Sequence, residues 1–207
     1  MSPLIASNLT VWRGPFCLFD ELSFELRDGQ ALIVRGSNGS GKTTLLRVLC
    51  GLTRPEEGTV TWDGVPIEKN RPAFGAALAY FGHTVGLKAD LTIEQNLRFS
   101  TRLNGHSDLD LADILGELNL SECANLEVRY LSAGQQRRTA LARVLTSGAR
   151  LWILDEPFTN LDDAGRAYAE SRLNAHLAGG GLAAVAAHHD LSIPDGKTTE
   201  LRLGDVH

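Results

Sequence analysis

The stretch "GSNGSGKTT" at residues 36–44 decides the fold of this chain. It fits the pattern G-x-x-x-x-G-K-[ST], with the apolar run "ALIV" before it and "LLRVLCGL" after it. These flanks predict a buried strand and a helix. In that setting the glycines let backbone N–H groups turn inward on a phosphate, and the helix N-terminus adds positive potential. The stretch predicts a nucleotide-phosphate site, against the weaker alternative of a coincidental glycine-rich turn.

Every residue of this phosphate loop is a candidate nucleotide ligand. The set is Gly36, Ser37, Asn38, Gly39, Ser40, Gly41, Lys42, Thr43 and Thr44. Lys42, which is also a candidate catalytic residue, can reach the β- and γ-phosphate oxygens, and the Thr43 hydroxyl can ligate Mg²⁺. The loop therefore predicts a nucleotide that is bound together with Mg²⁺.

A second motif, "LWILDEP" at residues 151–157, supplies carboxylates. Its apolar residues predict a buried strand that delivers Asp155 and Glu156 to the carboxyl end of a sheet, where ligands of parallel α/β folds gather. Asp155 would hold Mg²⁺ or its water, and Glu156 could polarise the water that attacks the γ-phosphate. An ordinary acidic strand exit is the alternative, which the upstream phosphate loop disfavours.

The stretch "LSAGQ" at residues 131–135 resembles the Leu-Ser-Gly-Gly-Gln signature of ATP-binding-cassette (ABC) ATPases, with Ala133 in place of one glycine. Ser132 and the following N–H groups at a helix start form another anion site, and Ser132 with Gln135 also fits a simple capping box. The resemblance implies that Ser132, Gly134 and Gln135 bind ATP held by a second copy of the chain, so that two copies sandwich two ATP molecules.

Two shorter motifs extend the resemblance in the expected order. "TNLD" lies where the family has its D-loop, which implies that Asp162 contacts the other copy, although Asn160 departs from the usual small residue. In "AHHDL" the family's switch histidine should precede an acidic or amide residue, so His189 before Asp190 is preferred over His188. The resemblance implies that His189 donates a hydrogen bond to the γ-phosphate.

The residue that stacks on the base is left open by the sequence. The family usually places an aromatic residue before the first glycine pair, where this chain has Arg13, with Trp12 one residue earlier. Arg13 could stack its planar guanidinium on the base, while Trp12 could equally belong to the core.

The stretch "YFGHTVGLKADLT" at residues 80–92 places His83 where most ABC ATPases have the Q-loop glutamine. Imidazole is a poor ligand for Mg²⁺, so His83 would be a hydrogen-bond donor or a conformational hinge. This stretch, "LSAGQQRRTALARV" and "LWILDEPFTNLD" together resemble the ATP-binding subunits of the haem exporters of cytochrome c maturation.

The resemblance implies ATP hydrolysis that powers haem export or the release of a haem chaperone. It also implies integral membrane subunits as partners and a peripheral position at the cytoplasmic face of the inner membrane. The residues themselves do not identify the transported substrate. One alternative is the ATPase of another transporter such as a nutrient importer, which often has extra C-terminal residues. A second is a soluble ABC protein, which would have tandem cassettes or a coiled-coil insertion. A third is a small-molecule kinase, which would not need "LSAGQ".

The alternation of predicted strands and helices gives an α/β P-loop NTPase fold. We expect one ABC ATPase domain over residues 1–207, with a mostly parallel core sheet, an antiparallel β part and a helical subdomain at about residues 91–130. Strands are predicted at 18–26 and 76–82, a hairpin with "DG" at its tip follows residue 53, and Thr92 with Gln95 forms a capping box.

Composition narrows the class of protein further. The 207 residues carry a formal net charge of −5, which gives no support for a nucleic-acid partner. The three cysteines, an odd number at wide spacing, favour reduced thiols over a disulfide framework. The first residues lack signal-peptide features, and no apolar run approaches the ~18–20 residues that span a bilayer.

Overall fold

The computed structural model describes residues 4–103, 111–194 and 196–204. Its strands are β1 (Leu4–Arg13), β2 (Phe16–Leu26), β3 (Ala31–Arg35), β4 (Glu57–Trp62), β5 (Val65–Pro66), β6 (Leu78–Phe81), β7 (Leu151–Asp155), β8 (Leu182–Ala186) and β9 (Thr198–Arg202). Its helices are α1 (Lys42–Leu49), α2 (Arg71–Ala77), α3 (Ile93–Leu103), α4 (Ala112–Glu117), α5 (Ala133–Leu145) and α6 (Asp163–Ala178). Strands and helices alternate over most of this order, as the sequence predicts.

The central sheet is parallel, with strand order β6-β7-β8-β3-β9. Strand β8 lies between β3 and β7, so Val34 of β3 and Asp155 of β7 both have Ala186 as their register partner. All five carboxyl ends therefore meet along one edge of the sheet. This confirms the predicted P-loop NTPase fold class with a mostly parallel core.

Side chains alternate between the two faces of the central sheet and supply two cores. On one face Ala183 and Val185 of β8 pack with apolar residues of α5 and α6, and on the other Leu182 and Ala184 pack with those of α1. Helices thus cover both faces, which is the usual condition for a buried parallel sheet. This packing fixes the strand ends that carry the site.

The second sheet is antiparallel, with order β2-β1-β4-β5. Its β4–β5 turn is made by Asp63 and Gly64, whose φ angles of 57° and 73° are both left-handed. Two-residue hairpins favour such turns because their twist matches that of the strands. The hairpin predicted from "DG" is confirmed.

The predicted strand at residues 76–82 is shorter in the structure, and helix α2 was not foreseen. Ala76 and Ala77 end α2, and β6 begins at Leu78. Pro72 lies in the first turn of α2, where its fixed φ suits a helix and its missing N–H costs nothing. The short apolar run alone could not distinguish the last helical turn from the strand.

Between β6 and α5 the described residues are mostly helical. The Thr92 backbone N–H donates to Gln95 Oε1 at 2.9 Å and the Gln95 N–H donates to Thr92 Oγ1 at 3.1 Å, which confirms the predicted capping box. Of the predicted helical subdomain at about residues 91–130, residues 104–110 lie outside the described residues, and α3 and α4 cover Ile93–Leu103 and Ala112–Glu117. In the described ranges, no helix combines the length and apolar character that crossing a membrane requires.

Candidate functional site

Four neighbouring strands of the central sheet each deliver one part of the site. The strand order β6-β7-β8-β3 brings His83, the carboxylates, the histidine pair and the phosphate loop to the same edge. These parts are far apart in the sequence, and the order of the parallel strands brings them together. The site is a direct product of the topology.

The phosphate loop joins β3 to α1 and folds back on its lysine. Lys42 Nζ donates to the carbonyl oxygens of Gly36 and Ser37, both at 2.9 Å. Gly36 has φ 151°, and a Cβ there would lie 2.4 Å from Ser40 Oγ and 2.9 Å from the Leu203 carbonyl oxygen. Only glycine fits this position, so the loop can turn directly from the strand into the helix.

Thr43 and Asp155, the residues predicted to hold Mg²⁺, contact each other. Thr43 Oγ1 donates to Asp155 Oδ2 at 2.8 Å, although 112 residues separate them in the chain. Burial raises the pKa of the Asp155 carboxyl, an effect that its hydrogen bond from Thr43 opposes. A hydroxyl and a carboxylate are the hard oxygen donors that Mg²⁺ prefers beside substrate phosphates, so the pair fits this ion. The residues described contain no group of three or more His, Cys, Asp and Glu side chains arranged for a metal.

Glu156 follows Asp155 in an unusual backbone conformation. Its φ of 52° lies in the left-handed region, which non-glycine residues seldom adopt, and its N–H donates to the Ala186 carbonyl oxygen at 3.0 Å. Such strain is concentrated at functional sites, where surrounding contacts hold it. Here it fixes the direction in which the Glu156 carboxylate leaves the strand.

The histidine that contacts Glu156 is His188, whereas the sequence favoured His189. His188 Nε2 lies 3.0 Å from Glu156 Oε1. The His189 ring instead packs edge-on against Phe158, with ring centroids 5.4 Å apart and planes at 72°. Strand β8 ends at Ala186 and the chain bends at His188 and His189, so the two rings leave the backbone in different directions. The geometry therefore assigns the contact with Glu156 to His188, whereas the contact of His189 with the γ-phosphate stays a prediction.

The "LSAGQ" stretch caps α5. Ser132 Oγ accepts from the Gln135 N–H at 3.2 Å, and Gln135 Oε1 accepts from the Ser132 N–H at 2.8 Å. The capping interpretation is therefore confirmed, and the Ser132 hydroxyl hydrogen is still able to donate to an anion. The cavities beside the phosphate loop are lined by neither Ser132, Gly134 nor Gln135.

Asp162 has a capping role within its own chain. It is the N-cap of α6, where its Oδ1 accepts from the Gly165 N–H at 2.9 Å. Its Oδ2 accepts from Asn119 Nδ2 at 3.0 Å. The side chain remains exposed, so a contact with another copy would add to these bonds. The role of Asp162 across a dimer stays a prediction.

A cavity lies next to the phosphate loop, beside one of the residues considered for base stacking. It has a volume of about 540 Å³ and is lined by Arg13, Phe16 and Leu18 together with residues 37–40. Phe16 is 49% exposed, and sequence reasoning missed it because it lies after the glycine of "RGPF". Trp12 is also 49% exposed, which contradicts the alternative that it belongs to the core.

His83 is exposed just beyond β6 and lies close enough to Asp155 for its charge to favour the ionised carboxylate. Its side chain makes no hydrogen bond to the residues that the structure describes. The preceding Gly82 lies against the Tyr80 ring, because a Cβ on Gly82 would be 2.3 Å from the Tyr80 hydroxyl. The chain therefore turns tightly from β6 into the His83 loop.

Comparison with protein families matches this chain to "ABC transporter" over residues 19–159. The chain therefore belongs to the ABC transporter family, whose nucleotide motifs form the edge described above, and it is an ATP-hydrolysing subunit. Its curated relatives include the cytochrome c biogenesis ATP-binding export proteins CcmA of Nitrosococcus oceani, Methylococcus capsulatus and Vibrio parahaemolyticus.

These relatives match nearly the whole chain. The Nitrosococcus protein is 46% identical over 91% of this chain and 87% of its own length, and the Methylococcus protein is 45% identical over 93% and 94%. The Vibrio protein is 41% identical over 98% of this chain and 100% of its own. The resemblance to cytochrome c maturation subunits is confirmed.

Solved structures share the fold at low sequence identity. An ATP-binding subunit of an ABC transporter has a TM-score of 0.82 at 22% identity and covers 99% of this chain and 89% of its own. A dimeric post-hydrolysis state of the ATP-binding cassette MJ0796, bound to ADP and Pi, has a TM-score of 0.79 at 20% identity and covers 99% and 97%. Both confirm the predicted ABC nucleotide-binding fold.

Proposed function

We propose that this chain binds and hydrolyses ATP to drive an exporter of cytochrome c biogenesis, where it powers haem export or the release of a haem chaperone. The observation that carries the catalytic part is the meeting of Lys42, Thr43, Asp155 and Glu156 at one sheet edge. The names of its relatives support the biological part.

Each residue of this edge has a distinct role. Lys42 exchanges its bonds to the loop carbonyls for bonds to the β- and γ-phosphate oxygens. Thr43 and Asp155 hold Mg²⁺, which when bound neutralises negative charge on these phosphates. Glu156 orients and polarises the attacking water, and His188 holds the Glu156 carboxylate in place.

A complete site needs two copies. In each copy the hydroxyl of Ser132 and the N–H groups at the start of α5 form an anion site that faces the γ-phosphate held by the other copy. The space at this helix start is open, since even a Cβ on Gly134 would approach no atom of the same chain closer than 3.7 Å. Asp162 meets the other copy at the same interface.

The energy of closure passes to integral membrane subunits, with this chain bound peripherally at the cytoplasmic face of the inner membrane. The His83 loop and the helical subdomain at residues 91–130 are the transmitting parts. Arg143 supports this role because its guanidinium donates to the Gly86 carbonyl oxygen at 2.8 Å and thereby ties the loop to α5. A nucleotide-dependent shift of α5 would move the loop.

Two variants test the catalytic proposal. Lys42→Ala is expected to abolish ATP hydrolysis, and unchanged turnover would contradict the phosphate-loop assignment. Glu156→Gln is expected to trap an ATP-bound dimer in size-exclusion chromatography. A monomer that still hydrolyses ATP would count against Glu156 as the base.

The biological proposal needs a separate experiment. The tagged chain is purified from detergent-solubilised membranes, with Lys42→Ala as a matched control that should retain its subunits. Integral subunits required for cytochrome c biogenesis are expected to copurify. Copurification with the permease of an unrelated transporter would refute the assignment.

A further inference from the structure

Arg35 links three elements at the edge of the site. It is the last residue of β3 and directly precedes the phosphate loop. Its Nη1 donates to the His189 carbonyl oxygen at 3.0 Å, and its Nη2 donates to Asp190 Oδ1 at 2.7 Å. Its Nε lies 3.4 Å from Glu200 Oε1 of β9. One guanidinium therefore binds the loop after β8 and the neighbouring strand β9 together.

These bonds differ from ordinary surface ion pairs. The Arg35 side chain is only 18% exposed, although that of Asp190 is 100% exposed, and one of the acceptors of Arg35 is a backbone carbonyl. Charge-assisted bonds from a planar guanidinium impose direction as well as energy. Because the bound carbonyl belongs to the residue after His188, Arg35 constrains the backbone that carries the ring of His188.

We propose that Arg35 is a positioning residue for ATP hydrolysis, which keeps the ring of His188 on the Glu156 carboxylate by clamping the backbone at His189 and Asp190. The proposal rests on the proposed function. Arg35 lines neither of the cavities beside the phosphate loop, so it acts through His188 and has no expected contact with the nucleotide.

The clamp also relates the histidine to the phosphate loop. The Arg35 backbone continues into Gly36, while its side chain holds the segment after β8. A displacement of the phosphate loop on nucleotide binding is thereby transmitted to the loop that carries His188. The carboxylate that orients water and the loop that holds phosphate are kept in fixed relation by one side chain.

A matched pair of arginines tests this positioning role. Arg202 lies 3.4 Å from the same Glu200 carboxylate but is 78% exposed and has no described bond to the histidine segment. Arg35→Ala is expected to lower kcat for ATP about 10- to 100-fold, within the range of misplaced acid–base groups, with the KM for ATP nearly unchanged. Arg202→Ala should keep both constants. Asp190→Asn, which weakens the clamp from its other side, should give an intermediate loss of kcat.

A double-variant comparison separates positioning from general destabilisation. His188→Ala with Arg35→Ala should be no slower than His188→Ala alone, because Arg35 acts through that ring. Multiplicative losses in the double variant would overturn the proposal, as would an equal rise of KM and fall of kcat in Arg35→Ala.

A spectroscopic readout is independent of ATP hydrolysis. In Arg35→Ala and in Glu156→Gln the Cε1–H resonance of His188 should move in the same direction, and in Arg202→Ala it should stay. If the resonance does not move in Arg35→Ala, the clamp is refuted, even if this variant hydrolyses ATP more slowly. A moved resonance in a chain without ATPase activity refutes the proposed function and leaves the clamp standing.

Discussion

Replacing His188 and His189 separately by alanine distinguishes the histidine that the structure favours from the one that the sequence favours. The two residues are adjacent, but their surroundings differ. His188 Nε2 lies 3.0 Å from Glu156 Oε1, whereas the ring of His189 packs against Phe158. We expect His188→Ala to act on catalysis and His189→Ala to act on stability.

The magnitudes follow from these contacts. The His188 and Glu156 side chains are 50% and 37% exposed, so their pairing contributes about 0–1 kcal/mol to folding. As part of the water-orienting group, however, His188 should contribute ~100- to 10,000-fold to kcat, or about 2.7–5.4 kcal/mol. Loss of the edge-on ring pair of His189 with Phe158 should cost about 0.5–1.5 kcal/mol of stability.

Steady-state ATPase kinetics give kcat, and urea unfolding of the same preparations gives the free energy of unfolding. His188→Ala should lose most of its kcat with an almost unchanged unfolding midpoint. His189→Ala should unfold at lower urea and keep kcat within about tenfold of the parent, below the range for a lost acid–base group. If His189→Ala instead loses kcat as strongly as expected for His188→Ala, at full stability, the geometric assignment is wrong.

Three further perturbations have defined outcomes. Phe16→Ala should raise the KM for ATP about 10-fold through loss of base stacking, measured against Trp12→Ala, which should have a smaller effect. His83→Gln should keep ATP hydrolysis and alter its stimulation by membrane subunits; complete loss of hydrolysis would show that His83 is catalytic. Burial lowers the pKa of His176 in the folded chain, so the unfolded chain binds a proton at this residue more readily. The free energy of unfolding should therefore fall as the pH drops through about 6.5. In acid titrations, His176→Gln should reduce that fall.

Much of the site could be predicted because its residues lie at fixed positions relative to strands and helices. The phosphate loop, Asp155 and Ser132 each adjoin a strong apolar or capping pattern, and parallel strand ends must share one edge. The hydrogen bond between Thr43 and Asp155 bears out the expectation that these residues lie together.

What the sequence did not show depends on single-residue geometry. The choice between His188 and His189 depends on which of two adjacent side chains faces Glu156, and a sequence pattern does not give side-chain directions where the chain bends, as it does at these residues. The left-handed backbone of Glu156 has no glycine to indicate it. Phe16 lines the cavity beside the phosphate loop from the first position of β2, directly after a turn that no periodic pattern marks.

The strand order of the central sheet also has a consequence for biosynthesis. Strand β8, at Leu182–Ala186, is made late in the chain, yet it is inserted between β3 and β7. Until the ribosome has released this segment, β3 and β7 have no partner on their facing edges, and the histidine segment does not exist. The nascent chain thus cannot complete its nucleotide site, so ATP cannot stabilise the complete site before β8 and the histidine segment have been made. Chains that still lack β8 would be left to chaperones, and only chains that contain it could compete for nucleotide and for assembly.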